Sequence, residues 1–268
     1  MISFTDYTIT ERQLYSTCFG FLMFLVGVCT AARTLLSGQS RAERRQLSWV
    51  ISAVNAFVTV SVAVTYLLIR PDIYISFTTF YHPDTLPFIK IAHSLDDMSV
   101  LIGLWFAMVN ICDIVFGLLC YREHLMIGTA YIHHTVYTWI IYFSITGNGG
   151  ICSCRPFAPM LLLGLIEEFP TLVLALGGIN DKLRNNYLFG VSFFFFRVVY
   201  HSYLVGLAIY AKVDTPVSVL LWLITMTHYY WFYLWFSKYF ILKKNIVDES
   251  ESDESDCAHE NRNLLKNK

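Results

Sequence analysis

Seven runs of about 20 predominantly apolar residues, at 14–36, 48–69, 99–119, 125–145, 157–179, 187–211 and 216–242, constrain this chain more than any motif does. At about 1.5 Å rise per residue each run matches the roughly 30 Å hydrocarbon core of a bilayer. A membrane-spanning segment must satisfy its backbone polar groups internally, and runs this long without alternation do so as α-helices. The expected fold is an all-α polytopic bundle or barrel of about seven spans. Composition agrees: 56% of residues are apolar and 15% charged, and the mean hydropathy is +0.51, outside the range of an ordinary soluble domain. Lys and Arg are too scattered, and the net charge of −1 too near zero, for a nucleic-acid footprint.

The residues between the runs set the expected topology. Asp6, Glu11 and Arg12 precede the first run in place of the basic stretch of a signal peptide, so the first span is expected to be retained. The loop from Arg70 to Met98 is too rich in proline and aspartate to be a span. Five basic residues (Arg12, Arg70, Lys90, Arg155, Lys212) fall on one side and ten (Arg33, Arg41, Arg44, Arg45, Arg122, Lys182, Arg184, Lys238, Lys243, Lys244) on the other. The richer side is expected to be cytosolic, leaving the N-terminus luminal or outside and the C-terminus in the cytosol. Residues 1–47 then hold the first span and a basic cytosolic loop, residues 48–242 a six-span domain, and residues 243–268 an acidic, serine-rich tail expected to be disordered. Cys152 and Cys154 share a loop, and a disulfide across one intervening residue would be strained, so free thiols are expected there.

Against this apolar background a few ionisable residues stand out. His133 and His134 are adjacent within the fourth run, Glu167 and Glu168 lie at the centre of the fifth, Arg197 and His201 share a face of the sixth, and His228 lies within the seventh. Counting inward from the ends places all of them near mid-membrane, with Asp113 of the third run about one turn shallower. Arg197 could pair with Glu167, Glu168 or Asp113. Buried polar groups often serve as interhelical glue, and that reading is preferred for His228 among its aromatic neighbours and for His124 near the interface. Two vicinal imidazoles with a carboxylate pair at similar depth instead favour a functional chamber. An imidazole can take a proton from an alcohol or amine, or accept an acyl group, while a carboxylate orients it. A membrane di-iron centre would need about eight histidines in spaced boxes, a pattern these residues lack, so no metal and no tightly bound cofactor is expected.

Asp113, His133-His134-Thr135, Glu167-Glu168-Phe169-Pro170-Thr171, and Asn185-Asn186 with the aromatic run leading to Arg197 together resemble the TLC-domain family of multi-span membrane proteins, which includes the ceramide synthases. The resemblance covers residues 48–242. It implies a helical barrel in the endoplasmic reticulum membrane that binds lipid and acts in sphingolipid or phospholipid metabolism. For ceramide synthases it implies transfer of a fatty acyl group from acyl-CoA to a sphingoid amine. His133 and His134 match the position of the catalytic pair, with Glu167 or Glu168 as the orienting acid and Asp113, Arg197, His201 and His228 completing the polar layer. The chain departs from the synthases in having glutamates followed by Phe-Pro-Thr where they carry aspartates, and no homeobox-like insertion after the first span. It is closer to the less characterised TLC-domain members, so a non-catalytic lipid sensor, carrier or regulator of membrane composition stands beside the acyltransferase as an expectation, with a transporter of polar solutes third.

Overall fold

A computed structural model describes residues 8–70, 94–125, 127–146, 157–210 and 215–241. The proline-rich loop, Cys152 and Cys154, and the acidic tail with its preceding Lys243 and Lys244 lie outside them almost entirely. All regular structure among the described residues is helical. The chain divides into two units, Met1–Thr225 and Met226–Lys268.

In the first unit, α1 spans Glu11–Leu36 and α2 spans Arg41–Ile69. Each starts with a reciprocal capping box: Thr10 with Gln13, and Ser40 with Glu43. The turn between them bends through Ser37 (φ 52°) and Gly38 (φ 64°), the left-handed region where the missing Cβ makes Gly38 the easy choice. Helix α3, Asp97–Cys120, is capped by Asp96, whose carboxylate accepts the Ser99 N–H at 2.9 Å. A short 3-10 turn, Arg122–His124, and a π-helical turn, Ile127–Ile132, lead into α4, His133–Thr146. Next come α5 (Ala158–Gly164), a 3-10 turn (Leu165–Glu168) and α6 (Phe169–Ile179). Helix α7 (Asn186–Phe193) runs through a second π-helical stretch, Phe194–Tyr200, into α8 (His201–Tyr210). The last helix, α9, covers Thr215–Phe236 and ends in a π-helical turn, Ser237–Ile241, in the second unit.

Among the described residues, five helical stretches are long and apolar enough to cross a membrane: Glu11–Leu36, Arg41–Ile69, Asp97–Cys120, Ala158–Ile179 and Asn186–Ile209. They coincide with five of the seven runs expected from the sequence. The fourth run is instead a π turn joined to a 14-residue α4, and the seventh coincides with α9.

Contacts at the helix ends set α1 and α3 in one direction and α2 in the other, and join the end of α4 to the start of α5. At one end, called end A, the Arg44 guanidinium at the start of α2 pairs with Glu123 just beyond α3. At the opposite end B, Asp97 at the start of α3 accepts the Thr8 N–H at 2.8 Å, and Tyr66 near the end of α2 donates to Asp96 at 2.7 Å. The Phe157 N–H, entering α5, bonds the Ser144 carbonyl near the end of α4 at 2.9 Å. Arg44 holds the Glu123 carboxyl below the ordinary glutamate range, chiefly through their hydrogen bond. Because the folded pKa is the lower one, this contact stabilises the fold above the carboxyl's unfolded pKa and fades as pH falls through the folded value. Exposure and salt keep it weak, so Glu123→Gln is expected to leave thermal unfolding in detergent nearly unchanged at neutral pH.

The interior and exterior are distributed as a bilayer requires. Leu25, Ile51, Tyr66, Phe106, Ile141 and Leu162 form one apolar core drawn from α1 to α5. Large apolar side chains such as Phe19, Phe57, Leu119 and Phe195 are exposed, while Asp113, Glu167, Glu168, Arg197 and His201 are buried. This distribution is compatible with a membrane-spanning bundle, in which lipid would meet the apolar residues outside and the cost of charge in hydrocarbon would keep polar ones inside. Helices α2 and α6 approach closely at Gly178, where an added Cβ would collide with the Trp49 ring. Gly178→Ala is expected to cost about 1–3 kcal/mol by overpacking a rigid indole. Gly20→Ala, with open space around it, should cost nothing; thermal unfolding of both variants in detergent checks the contrast.

Candidate functional site

The glutamates, Arg197 with His201, and the histidine pair lie on or directly after turns that depart from regular α-helix. Pro170 has no N–H to give the Ile166 carbonyl; the Phe169 N–H bonds it instead, in the tighter 3-10 pattern. Both Glu167 and Glu168 on this turn are buried, at 5% and 7% exposure, and each meets its own partner on the stretch that carries Arg197 and His201. Arg197 sits within the wider π-helical stretch Phe194–Tyr200, and His201 opens the helix after it. Four residues make nearly one π-helical turn, so both face inward. His133 and His134 follow directly on the π turn Ile127–Ile132. Irregular turns, π-helical ones above all, recur at functional positions, where they change the direction of the side chains that follow them.

The polar residues form two groups. In the first, Arg197 Nη2 donates to Glu168 Oε1 at 2.8 Å and to Thr171 Oγ1 at 2.7 Å, and its Nε donates to the Glu167 carbonyl at 3.0 Å. His201 Nδ1 lies 2.8 and 2.9 Å from the two Glu167 carboxylate oxygens, and its Nε2 is 3.4 Å from the Leu221 carbonyl. Each buried carboxylate therefore has a cation or cation-forming partner, the condition for keeping charge away from water. In the second group, the Tyr121 hydroxyl donates to Asp113 Oδ1 at 2.6 Å, and Asp113 Oδ2 is 3.5 Å from His134 Nδ1.

His133 and Tyr137 connect the groups. Their rings meet with centroids 4.4 Å apart, and the His133 and His134 centroids are 5.7 Å apart. Tyr137 also lines a cavity of about 60 Å³ whose walls are largely apolar, among them Ile140, Met160, Leu204 and Ile224. The ionisable groups on its wall are Glu167, Glu168, His201 and Tyr137. A cavity of that size has room for a few water-sized groups, with the glutamates and His201 on one part of its wall.

The structure thus brings together Glu167, Glu168, Arg197 and His201, and separately Asp113 and His134. Of the partners open to Arg197, Glu168 supplies the carboxylate and Glu167 its backbone carbonyl. The acid in contact with His134 is Asp113, which the sequence placed in the polar layer outside the catalytic set. His228 belongs to the second unit, where its ring lies 6.4 Å from that of Trp231. Three side chains were not singled out from the sequence as site residues. Tyr137 follows His133 by four, so helical spacing alone could have placed it on that face. Thr171 follows the glutamate pair and carried no signal of its own as an Arg197 partner. Tyr121 sits outside the apolar runs in a turn whose fold-back onto Asp113 no spacing rule indicates.

No family model, curated protein or solved structure matches this chain.

Proposed function

We propose that the chain is a TLC-type, seven-span protein of the endoplasmic reticulum membrane that takes a lipid chain into the Glu167–His201 cavity and acts in sphingolipid or phospholipid metabolism. The observation that carries this reading is the cavity itself: apolar walls leading to buried carboxylates and an imidazole, with Tyr137 connecting it to the histidine pair. Orientation follows the basic residues. End A gathers Arg41, Arg44, Arg45, Arg122, Lys182 and Arg184 and is assigned to the cytosol.

As an acyl-CoA-dependent N-acyltransferase, the protein would let an amine attack the thioester carbonyl. The new C–N bond forms and the C–S bond breaks. His133 takes the amine proton and returns it to the departing thiolate, so no net proton is consumed within the site. One feature favours the alternative of a non-catalytic carrier or sensor: Glu167 and Glu168 are both engaged by His201 and Arg197, the arrangement of a structural floor under a bound lipid.

The test is mass spectrometry of whatever lipid accompanies the purified protein, followed by labelled acyl transfer with the lipid class so found. A co-purifying amphiphile is expected. Transfer that disappears in His133→Ala supports the enzyme; equal lipid occupancy in wild type and variant, with no turnover from any acyl-CoA, supports the carrier. Protein that emerges free of lipid in several mild detergents would remove the cavity's assigned role.

A further inference from the structure

The two polar groups and the cavity, taken in order of depth, run from one end of the helices to the other. Tyr121 stands at end A beside the Arg122–His124 turn, and its hydroxyl meets Asp113. Asp113 lies eight residues back along α3, about 12 Å deeper at helical rise. His134, His133 and Tyr137 follow, and Tyr137 enters the cavity beside Glu167 and His201. From that level the cavity wall continues to Phe157, which bonds the Ser144 carbonyl at end B. Glu167 and Phe157 are ten residues apart, about 15 Å at helical rise. Both legs together match the roughly 30 Å of a hydrocarbon core.

Two atoms along the first leg lack hydrogen-bond partners although buried: His134 Nδ1, which faces Asp113 Oδ2 at 3.5 Å, and Asn110 Nδ2, one turn from Asp113 on α3. Asn110 is 3% exposed. An unsatisfied buried donor or acceptor has a cost, and this spacing is slightly too long for a direct bond, as suits a site that binds a proton or a bridging water in passing. Chains of Asp, Glu and His within membrane helices are the usual material of proton relays.

We propose that Asp113, His134, His133 and the Glu167–His201 pair form a proton path from end A into the cavity, and that the protein conducts protons slowly across the bilayer. A proton arriving from end A adds to Asp113 Oδ2 and passes to His134 Nδ1. The imidazolium releases its other proton, from Nε2, to His133, and the neutral ring is left as the opposite tautomer. His133 releases a proton to water held near the Tyr137 hydroxyl and the Glu167–His201 pair, and ring reorientation resets each imidazole. One proton enters and one leaves per cycle, with no carbon bond changed. The apolar leg between the glutamates and Phe157 is the slow part, since walls of Leu204 and Ile224 hold water poorly. The path requires neither a lipid substrate nor an acyl donor, so it stands or falls apart from the function proposed above.

The full chain in phosphatidylcholine liposomes, with pyranine inside and an inward proton drive set by potassium and valinomycin, tests the path. Wild type is expected to acidify the interior severalfold faster than protein-free liposomes, and Asp113→Asn and His134→Gln are expected to return the rate to the protein-free value. Leu204→Ser, which wets the apolar leg, should raise the rate, and adding Asp113→Asn should cancel that gain. If Asp113→Asn does not elute as a monodisperse species, His134→Gln carries the comparison. Protein-free rates in both wild type and Leu204→Ser would overturn the path, as would undiminished conduction in His134→Gln. Either result leaves the lipid assays untouched.

Discussion

Arg197→Met is expected to lower the stability of the protein by roughly 3–5 kcal/mol, the cost of leaving one member of a buried ion pair without the other. The guanidinium holds the Glu168 carboxylate, the Thr171 hydroxyl and the Glu167 carbonyl on neighbouring helices, and Glu168 is only 7% exposed. Methionine fills much of the same volume, so the loss measures polar interactions with little contribution from a cavity. The decisive comparison is the double variant Arg197→Met with Glu168→Gln. Replacing both charges removes the stranded carboxylate, and the double variant is expected to recover most of the loss, giving a large coupling energy in the cycle. Unfolding in detergent, followed by helical signal and by exposure of cysteines such as buried Cys29, checks both. An Arg197→Met protein within about 0.5 kcal/mol of wild type, the range of inconsequential surface changes, would mean the pair is solvated and the chamber open to water.

The same residues show what could be read in the sequence. Apolar runs announce the helices because a bilayer imposes both their length and their hydrophobicity, and five of the runs coincide with long apolar helices. Ionisable residues within the runs were bound to face inward, since hydrocarbon penalises charge, and that alone collected Asp113, Glu167, Glu168, Arg197 and His201 at buried positions. The pairing among them was not legible. Which acid meets which base depends on helix rotation, and rotation here is set by local irregularities: the turn before Pro170 and the π-helical stretches before His133 and His201. A π turn shifts the phase of the following helix by an amount that hydrophobic periodicity does not reveal when every face is apolar. Depth was additive along the chain, but azimuth was not. Hence the sequence sets Asp113 about one turn shallower than the histidines, and its contact with His134 emerges only from the packed helices.

If the protein is the acyltransferase proposed above, His133→Ala should cut acyl transfer by about 10²- to 10⁴-fold, the usual contribution of a positioned general base, and should leave the amount of bound lipid unchanged. His134→Gln should cost much less, and the reason is geometric. Although the two histidines are adjacent, they point to different neighbours. His134 turns toward Asp113, on the end A side of the chamber, whereas His133 packs on Tyr137, whose side chain lines the cavity. A base must come within about 3 Å of the proton it removes, directly or through one water, and His133 is the member of the pair placed beside a cavity-lining ring. Tyr137→Phe keeps that stacking and removes only the hydroxyl, so it should retain most of the transfer; Tyr137→Ala should remove the packing that orients His133 and fall toward the His133→Ala rate. Initial rates at saturating acyl donor, with lipid occupancy measured on the same preparations, separate loss of chemistry from loss of binding. Equal losses in His133→Ala and His134→Gln would show the imidazoles acting as one unit, and the division of labour drawn from their neighbours would have to be abandoned.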